Sequence, residues 1–146
     1  MSDPYQANLF QRNPFAARRS VQGELVALLS ERLENRGLEL MLPISRVLCQ
    51  GEIHELIVTS EGEAGPGKRV DRIGYLGFFE VLEGGVIVVG DEVQIGGKGV
   101  GAVAGFDATH LPNHINIVLK NRERATGIEL GLKVGDKICF RRSGDP

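Results

Sequence analysis

The chain holds three histidines, and two of them stand four residues apart in His110-Leu-Pro-Asn-His114, with Asp107 just upstream. Imidazole nitrogens are common ligands for divalent metals, and on a helix this spacing would put both rings on one face. Pro112 and the alternating stretch after it speak against a helix, so a loop must converge the two rings. The third histidine, His54, sits between Glu52 and Glu55, and either it or a glutamate can supply a third ligand. His54, His110 and His114 are therefore the candidate metal residues. The competing reading is structural: His110 caps a turn, His114 begins a strand, and each is hydrogen-bonded. Lys120 and Arg122, with Arg124 nearby, make a basic cluster suited to a phosphate or carboxylate. Together with Asp107, His110 and His114 they form the expected ligand-binding set.

Other chemistry finds less support. No Ser-His-Asp or Cys-His arrangement is present, and Cys49, five residues from His54, lies in an apolar run where a thiolate is not favoured. Carboxylates are many, but no spacing implies a paired acid and base, so no catalytic residue is assigned. Gly62 to Lys68 (GEAGPGK) matches part of a phosphate-binding loop. Arg69 replaces the hydroxyl that would hold Mg²⁺, Pro66 removes a backbone donor, and no helix follows, so a solvated hairpin loop is the better reading. The glycines of Gly96 to Gly105 lack a βαβ setting and are better explained by close strand packing.

The elements that must position these groups are mostly strands. VGDEVQI (Val89–Ile95) is echoed by VGDKICF (Val134–Phe140), and in each a Gly-Asp turn leads into an alternating run. Strand-like segments also occupy 46–59, with a bulge or break at Gly51, then 72–82, 86–89, 100–106, 114–120 and 138–142. Helical spacing is confined to Val21, Leu25, Leu28, Leu29 and Leu33, with Ser20 as N-cap and Gly37 as C-cap. The expected fold is mainly β: a small closed or nearly closed antiparallel β-barrel with an N-terminal α-helix. Residues 1–19 are expected to be a flexible arm, 20–37 an amphipathic helix and 44–142 the barrel.

At 146 residues the chain suits a single core, and 42% hydrophobic with 25% charged residues is ordinary for a globular protein. A net charge of −2 argues against nucleic acid or an anionic membrane as partner. Two cysteines are no disulfide framework, and Cys49 and Cys139 are expected to be buried free thiols. No signal-peptide or membrane-spanning run is present, so the expected location is cytoplasmic. The apolar stripe of the expected helix suits a homodimer or other homo-oligomer.

Val89–Lys120, closed by LKVGDKICF (Leu132–Phe140), resembles the C-terminal part of the glucitol/sorbitol-specific IIA component of the bacterial sugar phosphotransferase system. The matching features are a Gly-led strand, the Asn113-His114 pair opening a regular strand, and a terminal hydrophobic-Gly-Asp strand. The resemblance covers about a third of the chain and implies a barrel and phosphoryl transfer through a histidine. In that family the acceptor lies before the first matching strand, but Gly74–Gly85 holds no histidine here. A phosphotransfer role would need a displaced one, His110 or His114.

Without a catalytic constellation, the leading expectation is a non-enzymatic module that binds a small ligand or a partner protein, with no cofactor assigned. The alternatives are a IIA-like sugar phosphotransfer protein and a metal-dependent enzyme using His110 and His114.

Overall fold

The computed structural model describes residues 18–143, and every regular element in them is a strand. In chain order these are β1 (Val21–Leu28), β2 (Arg32–Leu33), β3 (Leu38–Glu39), β4 (Ser45–Leu48), β5 (Ile53–Thr59) and β6 (Arg69–Val70). They continue with β7 (Ile73–Glu83), β8 (Gly85–Val88), β9 (Glu92–Ile95), β10 (Lys98–Asp107), β11 (Asn116–Lys120) and β12 (Lys137–Arg141). The expected arm falls outside the described residues apart from Arg18 and Arg19, which precede β1.

The N-terminal helix expected over 20–37 does not form; β1 and β2 take its place. Spacings of four satisfy a helix, yet four is also even, so Val21 and Leu25 share one face of a strand equally well. Burial along β1 alternates, with Val21, Gly23 and Leu25 inside while Gln22 and Val26 point out. Gly23 decides the matter. A side chain there would come within 2.4 Å of the Glu80 carbonyl oxygen, so β1 and β7 lie close only because that carbon is missing.

Seven strands follow one another as β1-β12-β9-β10-β11-β5-β7, and β1 pairs back onto β7, which makes the sheet ring-like. β2 extends the β1 edge of β7. The ring departs from the expected antiparallel barrel in its β11–β5 pairing, which is parallel. Two-stranded pairs, β3–β6 and β4–β8, stand beside it.

The echoed VGD segments build two copies of one turn. Asp91 and Asp136 each return a backbone bond to the residue three before, Val88 O and Lys133 O, at 2.9 and 3.0 Å. Each carboxylate also accepts that same residue's N–H at 2.9 Å. Gly90 and Gly135 supply the left-handed position, with φ of 97° and 93°. The turns launch β9 and β12, which then pair with each other.

Two clusters pack against opposite faces of the sheet. Leu56, Val58, Ile117 and Leu119 join Phe79, Phe106 and Phe140 in the larger one. Ile57 and Val118, one residue out of phase, join Leu38, Leu40, Ala64 and Val70 in the other. The segment resembling a phosphate loop connects β5 to β6 and opens no helix. Lys120 Nζ donates to the carbonyls of Gly62 and Ala64 in it, at 3.2 and 3.3 Å. Both cysteines are free, but Cys49 is exposed and Cys139 half-buried, against the expectation that both would be buried.

Candidate metal centre

Strand register lays a row of polar and aromatic groups across four strands. Phe78 on β7 stands opposite Glu55 on β5. Glu55 is the partner of Asn116 on β11, and Asn116 of Asp107 on β10. Residues two along from Glu55 and Asn116 are Ile57 and Val118, so the row continues the face of the second cluster. Glu55, Asn116 and Asp107 are all buried.

The loop from β10 to β11 folds back over this row. Asp107 pins both of its ends, accepting from Thr109 N at 3.2 Å, Thr109 Oγ1 at 2.9 Å and Asn116 Nδ2 at 2.9 Å. Between them the chain makes a tight turn, with Asn113 N–H and His114 N–H both donating to the His110 carbonyl at 2.9 and 3.3 Å. This turn, which contains a cis Leu111–Pro112 bond, does what a helix would have done for the His110/His114 spacing. Their rings stack with centroids 4.9 Å apart and planes 26° from parallel. Phe78 meets His114 edge-on at 5.2 Å.

His114 is the key ligand candidate. Its Nδ1 donates to Asn113 Oδ1 at 2.7 Å, which leaves the lone pair on Nε2. Nε2 is buried, has no hydrogen-bond partner and faces Glu55 Oε1 at 3.4 Å. Burial, above all, pushes the Glu55 carboxyl above its usual range; His110 and Arg36 pull it back and Asp107 adds to the rise. One atom from each of Glu55, His110 and His114 lies within 4.8 Å of the others. Glu55 and His114 are largely covered, while His110 is exposed. A shallow cleft of about 260 Å³ adjoins the cluster, lined by Leu29, Glu31, Tyr75 and Phe78 as well as Glu55 and His110.

His54, expected as a possible ligand, points the other way, as its neighbour in a strand must. Its Nδ1 accepts from Ile115 N–H at 3.1 Å, so Nε2 carries the proton and donates to Glu52 Oε1 at 3.2 Å. Burial keeps this imidazole below its usual pKa, against the pull of Glu52. Glu52 is held below the usual carboxylate range, chiefly by the Cys49 N–H. His54 thus anchors the strand that follows His114. Replacing His54 with phenylalanine should orphan the Ile115 N–H and cost about 1–3 kcal/mol in denaturant unfolding. An unchanged midpoint would refute that anchoring role.

Of the other expected ligand residues, Asp107 lies in the row beside the cluster, and Lys120 and Arg122 lie away from it. Asp107 uses its oxygens to hold the loop. Lys120 ends β11 and Arg122 follows it, exposed, whereas His114 precedes the start of that strand. Lys120→Met should accordingly leave any metal content unchanged, and loss of metal on that substitution would contradict this placement. Of the alternatives the sequence left open for the third ligand, His54 or a neighbouring glutamate, the structure brings Glu55 to the two histidines, and Asn116 is a residue the sequence did not single out. The available signal was phase, since Glu55 shares its parity with Ile57 and Thr59, and His54 with Leu56 and Val58.

These features define a mainly β protein with a two-histidine, one-carboxylate cluster on one face of a ring-like sheet. The chain belongs to a family of unknown function, DUF6917, whose pattern matches residues 15–141. No curated protein and no solved structure matches the chain. No helix among the described residues is long and apolar enough to cross a membrane.

Proposed function

We propose that the protein binds one divalent first-row metal through Glu55, His110 and His114, and acts through it on a small molecule in the adjoining cleft. One observation carries this reading: the buried, unpartnered Nε2 of His114 aimed at a buried carboxylate. Two lone-pair atoms so close need a positive centre between them, a shared proton or a metal ion, and the third ligand atom nearby favours the metal. A tetrahedral ion with ligands at about 2.1 Å holds them roughly 3.4 Å apart, the Glu55–His114 spacing. His110, exposed and stacked on His114, must shift to close the remaining gap. Asn113 plays the outer partner that fixes a ligating imidazole's tautomer. Two histidines and one carboxylate suit Zn²⁺, Fe²⁺ or Mn²⁺, and three protein ligands leave positions open to solvent or substrate.

A native mass spectrum before and after chelation tests the reading. One metal mass per chain, removed by chelator, is the expected result; protein that takes up no Zn²⁺, Fe²⁺ or Mn²⁺ would overturn it. The same cleft would serve a purely binding module, which differs in showing no metal-dependent turnover. A IIA-like phosphotransfer protein would use His110 or His114, and incubation with phosphoenolpyruvate and the general transfer proteins would add one phosphate mass.

A further inference from the structure

Asn116 holds a second unpartnered atom beside the cluster. The residue is 1% exposed, and its Oδ1 has no hydrogen-bond donor. The amide cannot turn to hide this, because its Nδ2 is committed to Asp107 Oδ2 at 2.9 Å. Leaving such an oxygen dry costs about 1–3 kcal/mol, so the native site should supply a donor. Asn116 is the strand neighbour of Glu55 and shares the face of His114, two residues before it. Its side chain is one methylene shorter than that of Glu55, so its oxygen sits nearer the sheet than the carboxylate. A water bound to an ion held by Glu55 would supply the missing donor.

We propose, building on the metal site above, that Asn116 Oδ1 accepts a hydrogen bond from a water bound to the metal. A water held in this way suits a site in which water is a reactant, as in hydrolysis or hydration. The order of the row supports the assignment. Phe78 and the cleft lie on one side of Glu55, and Asn116 and Asp107 lie on the other. Substrate therefore approaches from the cleft side while the water is held from the far side. Asp107, drawing on the Asn116 amide hydrogen, strengthens Oδ1 as an acceptor. Asn116 is on this view a positioning residue, acting through the water.

The test uses Co²⁺-loaded protein titrated with azide and followed by visible absorption. Azide carries no hydrogen, so on displacing the water it strands Oδ1 in the native protein. Asn116→Leu and Asn116→Val remove the acceptor, and either should bind azide roughly tenfold more tightly at unchanged Co²⁺ stoichiometry. A purely structural role would lower the melting temperature without moving azide affinity. Equal azide affinity in native protein and in whichever variant folds would overturn the water assignment and leave the metal site standing. Failure of the native protein to load Co²⁺ would overturn both.

Discussion

Glu55→Gln and His114→Ala should each weaken metal binding by about a hundredfold or more, and the double variant should purify without stoichiometric metal. The magnitude follows from roughly 10–16 kcal/mol for a four-ligand Zn²⁺ site, about 3 kcal/mol for each ligand. His110→Ala should cost less, on the order of tenfold, because that ring is exposed and must reorganise to ligate. Competition with a chromophoric chelator would measure all three. Loss of ligand can be told from loss of fold. In metal-free protein the buried Glu55 carboxyl is held above its usual pKa, so its charged form is disfavoured. Glutamine removes that charge, and the chelated Glu55→Gln protein should melt no lower than the chelated native chain. Metal retained at full affinity in Glu55→Gln would end the three-ligand reading.

Gly23→Ala should destabilise the protein by about 3 kcal/mol or more, lowering the melting temperature by roughly 6–12 °C for a chain of this size. The added carbon would meet Glu80 O at 2.4 Å and Phe79 Cδ2 at 2.9 Å. Neither can give way easily: the first is backbone, and Phe79 is fully buried against Phe140, with ring centroids 5.4 Å apart. A helix over 20–37 would respond in the opposite sense, because alanine in place of a glycine in its first turn gains up to about 1 kcal/mol. The sign of the change therefore separates the two folds. A stabilised Gly23→Ala variant, or helical bands in circular dichroism, would overturn the strand.

Much of the sheet is legible in the chain. The strands read at 114–120 and 138–142, which form as β11 and β12, and the paired Gly-Asp turns rest on local signals, because a strand's period of two and a glycine's left-handed φ depend on a few neighbouring residues. The break near Gly51 and the packing role of Gly105, where a side chain would press on Leu40 at 3.0 Å, belong to the same class. The His110/His114 spacing also announced itself, since two imidazoles four apart are noticed whatever carries them.

Tertiary structure decided the rest. Residues 21–29 satisfy both periods, and only the partners of β1, namely β7 and β12, choose the strand. The side of β5 that faces the histidine loop is set by register against β7 and β11, which selects Glu55 and turns His54 away. Asn116 joins the site because it pairs with Glu55 across 61 residues of chain, a relation no local pattern carries. Periodicity says which residues share a face. What that face meets is determined by pairings between distant strands, and in this protein those pairings make the site.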